Sequence, residues 1–218
     1  MSTTFEVYTP TLNAPTFNDV LLLSNKYLAD KLKSYNILGQ YLINVSIRKN
    51  TTHNLVAFDK DLMAIWQSDD EYAWFSVNEE LGGCDVYIDK VENLDRERWD
   101  YEFFSNIRAK RVEKQMRKCL ATGFYWRFRR SVGQAAIINL SYGLIAAAFA
   151  EITNGFIFTD DSAWDYDMFP TKANQFLQNY FDPHYSKPDY ADWARRCIDL
   201  ICDLETKHQK PVNTDVFR

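Results

Sequence analysis

The stretch FIFTDDSAWDYDMFP, residues 156–170, sets Asp160, Asp161, Asp165 and Asp167 around Trp164, Tyr166 and Phe169. Carboxylates this close together can hold Mg²⁺ or Ca²⁺ through oxygen ligands. An enzyme or divalent-metal-binding protein would then centre on Asp160, Asp161 and Asp165. The run lacks the spacing of an EF-hand, its turn glycine and its terminal glutamate. Asp160 and Asp161 also suit a structural task, because an Asp after a strand and before a helical turn accepts from free backbone N–H groups. Trp164 and Phe169 would anchor such a loop on the core. The structural-loop reading of Asp160, Asp161, Trp164 and Asp165 is the one followed here, with no cofactor and no metal expected.

Other chemistry finds little support in the residue types. His53 falls in a turn, His184 in a proline-flanked break and His208 near the tail, all in solvated settings. GxSxG, HExxH and P-loop patterns do not occur. Cys84, Cys119, Cys197 and Cys202 form no CxxC pair and read as free, mostly buried thiols. A cysteine nucleophile would need a nearby histidine, and Cys84 after Gly82-Gly83 is the nearest approach to one. The chain is therefore expected not to be an enzyme.

The elements that must position these residues follow from periodicity. With 218 residues, 46% of them hydrophobic, and seven glycines, the chain can bury a core without metal or disulfide staples. FEVYT, residues 5–9, reads as a strand. Thr16 and Asp19 resemble a capping box that opens a helix running to about residue 35. Tyr41, Ile43, Val45 and Ile47 alternate as a strand, and further strands are expected at 55–58, 62–67 and 73–77 and after the Gly82-Gly83 turn. Past residue 90 helices dominate. FYWRFRR, residues 124–130, alternates like a strand in a setting that suggests a helix linker. Residues 134–152 read as a buried helix, too short in their apolar run for the ~20 residues a membrane span needs, and NGFIF as a turn into a strand. Helices close the chain around Phe176 and around Trp193, before a tail at 207–218 expected to fray. The expected fold is a single α+β domain over 1–218: an N-terminal strand, helix and antiparallel sheet within 1–90, followed by a mainly helical half over 91–218 with one or two further strands. With no signal peptide apparent, the expected compartment is the cytoplasm.

Charge is unevenly spread beneath the net of −5. Residues 105–130 carry nine cations against Glu113, a net of +8, whereas 59–102 carry fourteen carboxylates against four cations, a net of −10. In the plainer reading these segments complement one another across the fold. In the sharper one an acidic surface is held out to a basic partner. Asp69, Asp70 and Glu71 beside Tyr72 and Trp74, with Glu79 and Glu80 close behind, are then the partner-binding candidates on a hairpin turn. The basic-aromatic run 124–130 raises nucleic acid as an alternative ligand, by stacking and phosphate contact; the acidic balance of the whole chain argues against it.

YGLIAAAFAEITNGFIFTDDSAWDYDMFP and the following FLQNYFDP together resemble a group of uncharacterised bacterial proteins that include immunity proteins of polymorphic or contact-dependent toxin systems. The similarity covers about 45 of the 218 residues. It implies a cytoplasmic protein that binds a cognate toxin domain and occludes its active site; it does not give the toxin's activity, though toxins of this kind are often basic nucleases. A motif shared across such a group is scaffold, so the resemblance points away from the Asp160 loop and toward residues 59–102 as the interface.

Overall fold

Thr16 starts the first helix as its spacing from Asp19 requires. Thr16 Oγ1 accepts from the Asp19 amide at 3.0 Å, and Asp19 Oδ2 accepts from the Thr16 amide at 3.4 Å. The computed structural model describes residues 3–66, 69–78, 80, 82–159, 168–185 and 187–209. Within them the chain runs β1 (Thr3–Tyr8), α1 (Phe17–Ser34), β2 (Ile43–Lys49), β3 (Leu55–Val56), β4 (Glu71–Val77) and β5 (Cys84–Lys90). It continues through α2 (Asn93–Tyr101), a 3-10 turn (Phe103–Ser105), α3 (Ile107–Arg111), α4 (Glu113–Ala121), β6 (Phe124–Arg130), α5 (Ala136–Ile152), β7 (Phe156–Phe158), α6 (Ala173–Asn179) and α7 (Pro188–Gln209).

The expected division into a finished sheet over 1–90 and a helical half after it is wrong. One seven-stranded sheet, in the order β3-β2-β4-β5-β6-β1-β7, draws on both halves. β6 enters between β5 and β1, antiparallel to each: Phe128 faces Val86 on one side and Phe5 on the other. β7 closes the far edge against β1, with Tyr8 opposite Phe156. The physical reason is that β6 finds hydrogen-bonding partners on both of its edges, in residues 84–90 and 3–8, far from it in the chain. Trp126 and Phe128 are fully buried on one face of it while Arg127 and Arg129 project from the other. The strand expected at 62–67 is not formed either; Met63 makes an isolated bridge to Thr16.

Helices cover the inner face. α5 lies directly on it, with Phe149 against Phe75, Trp126 and Phe128 at centroid distances of 6.4, 5.1 and 5.2 Å. Residues 136–150 of α5 are all buried, because α1, α6 and α7 pack around its remaining sides. Asn154 takes the left-handed position after α5, at φ 51°. Among the described residues no helix is long and apolar enough to cross a membrane.

The outer face is divided. Over β1 and β7 it is roofed by α2 and the 3-10 turn: Trp99 packs on Tyr8 and Phe158 at 5.6 and 4.7 Å, and Phe103 on Phe158 at 4.6 Å. The helical stretch after residue 93 is broken at Phe103-Phe104, since both rings turn into this roof. Over β2, β4 and β5 no helix lies on the outer face among the described residues.

Candidate functional site: an aromatic-arginine sheet face

The half of the outer face on which no helix lies among the described residues is built from every second residue of four strands. Arg48 lies opposite Tyr72, Ser46 opposite Trp74, Trp74 opposite Asp85, Asp85 opposite Arg129, and Tyr87 opposite Arg127. The rings and guanidiniums form one continuous stack. Tyr72 and Tyr87 are parallel at 5.6 Å, Trp74 meets Tyr72 edge-on at 6.5 Å, and the Arg48 guanidinium sits 4.5 Å over the Trp74 ring. Arg127 lies 5.3 Å over Tyr87 and pairs with Asp89 at 2.5 Å. At one margin His53, held at φ 57°, brings Nδ1 to 3.0 Å from the Tyr72 hydroxyl.

Gly83 explains how Trp74 lies so low on the sheet. A Cβ there would meet the Trp74 indole at 2.6 Å and the Phe75 carbonyl at 2.4 Å. Its amide donates to Gln134 Oε1 at 3.1 Å, which fixes the Gly-Gly turn beside the ring. Trp74 and Tyr87 are half-buried, Arg129 is exposed, and Tyr72 is nearly covered by its neighbours.

Asp85 is the carboxylate at the centre of this face. Its burial raises it above the ordinary aspartate range, against the opposing pull of Arg129, His53 and Arg48. A carboxyl raised by folding takes up its proton more readily in the folded chain. The associated stabilisation is complete below the unfolded pKa and is lost as pH rises through the folded one. Asp85→Asn is therefore expected to be more stable than wild type at neutral pH, with the difference shrinking on acidification toward about pH 4. Urea midpoints across that range measure it. A variant less stable than wild type at neutral pH would show that the arginines outweigh burial.

The residues singled out by sequence are placed differently from one another. Asp69 and Asp70 lie on the turn entering β4, as expected. Glu71, expected on that turn, belongs to β4 instead, with Tyr72 and Trp74 after it in the same strand. Asp70 and Glu71 are joined to Lys49 at 3.3 and 3.0 Å, so two of the three carboxylates are internally paired. Glu80 is half-buried and its amide donates to the Val77 carbonyl at 3.0 Å; Glu79 is outside the described residues, as are Asp160, Asp161, Trp164 and Asp165. His184 sits exposed on a turn. Burial pushes the Cys84 thiol well above its ordinary value and Cys119 up to about 11, opposite to what a nucleophile needs. Among the described residues no group of three His, Cys, Asp or Glu side chains is placed to hold a metal.

Arg48, Asp85 and Tyr87 are members of this face that sequence reasoning missed, whereas Arg127 and Arg129 enter it only through the basic-aromatic run 124–130 and His53 only as a turn residue. Their signal was the period-two alternation of polar and aromatic residues in β2, β5 and β6, visible once each strand is placed beside the next. Comparison with models of protein families, with curated proteins and with solved structures finds no match to the chain.

Proposed function

We propose that the chain is a non-enzymatic immunity protein that acts in the cytoplasm, binding a cognate toxin domain and occluding its active site, with the open sheet face as the docking surface. The observation that carries this reading is the stack of half-buried Trp74 and Tyr87 with Arg48 and Arg127 around the buried Tyr72, and exposed Arg129 beside it, on a face over which no helix lies among the described residues. Tyrosine, tryptophan and arginine are the residues enriched at interface centres, where they bury large area with little conformational loss. Asp69 at the margin, outside the pairing of Asp70 and Glu71 with Lys49, supplies a carboxylate for a basic partner, in keeping with a polar rim that steers association more than it holds the complex. The resemblance of residues 142–170 and 176–183 to uncharacterised bacterial proteins that include immunity proteins supports the same class.

The test is co-expression with the product of the adjacent gene in a sensitive host, followed by affinity measurement on the purified pair. Wild type is expected to rescue growth and form a stable complex. Trp74→Ala and Arg129→Glu are each expected to weaken that complex by at least about 30-fold, the scale of an interface hot spot. Lys33→Glu, on the far side of the molecule, should leave it unchanged. Absence of both rescue and complex would remove the immunity reading; a complex indifferent to the two face variants would remove the docking surface alone.

A further inference from the structure

Alternation along β6 places Arg130 on the inner face with Trp126 and Phe128, and it is 7% exposed there. A guanidinium on the core side of a sheet is unusual enough to need a reason. Arg130 is fixed from three sides. Nη1 donates to Asn139 Oδ1 at 2.8 Å, and the group lies 5.4 Å over the Tyr142 ring and 5.0 Å over the Trp193 ring. Asn139 is itself tied to the Gln134 carbonyl at 3.3 Å.

What this pinned guanidinium faces is a cleft of about 420 Å³ between the β6–α5 connection and α7, which Arg196 and Trp193 also line. Arg196 is exposed and has no ion-pair partner among the described residues, whereas its neighbour Arg195 pairs with Asp192. No carboxylate lines the cleft among the described residues. α5 opens here as well, with Ala135 at its N-cap offering no side-chain acceptor, which adds a field of the same sign. The mouth carries two exposed aliphatic side chains, Val132 at 65% and Leu200 at 55%.

We propose that this cleft binds a small organic anion: a phosphate or carboxylate gripped by Arg130 and Arg196, joined to an aromatic or branched apolar group resting on Trp193, Val132 and Leu200. Planar guanidiniums match the geometry of both anions, and the volume falls in the range of small-molecule sites. The site is separate from the open sheet face and does not depend on its role.

Phenyl phosphate titrated into the full chain, followed by amide chemical shifts, tests it. Saturable shifts confined to residues 132–139 and 193–200 are expected, with phenol giving none and inorganic phosphate binding at least about ten-fold more weakly. Arg196→Gln should weaken phenyl phosphate by roughly ten-fold or more, the scale of a charge-assisted hydrogen bond. Arg130→Lys, which keeps the charge and loses the fork, should weaken it comparably; if that variant does not fold, Arg196→Gln decides. Shifts elsewhere, no saturation, or equal affinity in Arg196→Gln would overturn the site. Equal affinity for inorganic and phenyl phosphate would overturn the organic anion.

Discussion

Trp126→Ala is expected to lower the unfolding free energy by about 3–5 kcal/mol while leaving any affinity for oligonucleotides where it was. The indole is fully buried, 5.1 Å from Phe149 and 5.2 Å from Phe124, and its Nε1 donates to the Ala64 carbonyl at 3.1 Å. Truncation opens a cavity between the sheet and α5 and strips a buried carbonyl of this donor. Trp126→Phe keeps most of the ring and isolates the second effect, worth about 1–2 kcal/mol. Arg129→Ala, one face over and exposed, should stay within about 0.5 kcal/mol of wild type. Urea unfolding measures all three. The same experiment weighs the nucleic-acid reading of FYWRFRR, which needs accessible rings for stacking. A Trp126→Ala chain as stable as wild type that had lost salt-sensitive oligonucleotide binding would restore that reading. With Trp126 and Phe128 in the core, stability is the quantity that should move.

How far the sequence carries depends on how local each feature is. The start of α1 is legible because Thr16 and Asp19 satisfy one another within a single turn. α5 is legible as buried because a uniformly apolar helix has no solvent face to offer. β6 shows its alternation plainly, yet the order of strands does not follow from it. Only the pairing of Arg130 with Cys84 on one side and Thr3 on the other puts that strand inside the sheet, and both contacts join residues far apart in the chain. Nothing in the composition of residues 124–130 records those partners. The candidate site fails for a related reason. Asp69 to Trp74 are neighbours in the chain and read as one carboxylate-aromatic group, but Glu71 leans on Lys49 while Trp74 leans on Arg48, one strand away. A face assembled across strands takes one or two residues from each, so a search along the chain collects the wrong neighbours. The charge segregation had its plainer reading borne out in part by the register: Asp85 lies opposite Arg129, and Asp89 pairs with Arg127, so the acidic and basic segments meet inside the sheet.

Gly143→Ala is the sharpest test of the inner layer, because two effects of opposite sign compete there. In an exposed helix the change stabilises by about 1 kcal/mol through backbone entropy. In α5 a Cβ at this position would stand 2.3 Å from Tyr180 Cζ and 2.6 Å from its hydroxyl. Tyr180 cannot yield easily. It is 1% exposed, stacked on Phe176 at 4.7 Å and edge-on to Phe181 at 5.4 Å, and its hydroxyl donates to the Asn139 carbonyl at 3.0 Å while accepting from the Gly143 amide at 3.3 Å. Forcing an extra methyl into a closed core costs about 1–3 kcal/mol, and here the displaced ring also loses both hydrogen bonds. The steric effect should win, leaving Gly143→Ala destabilised by about 2 kcal/mol net. Tyr180→Ala removes the obstacle at its own cost of about 3–5 kcal/mol. In that background Gly143→Ala should become neutral or stabilising, so the double variant is expected to be more stable than the sum of the single changes implies. Additive losses, measured from urea midpoints of all four chains, would mean that Tyr180 does not press on α5 at Gly143.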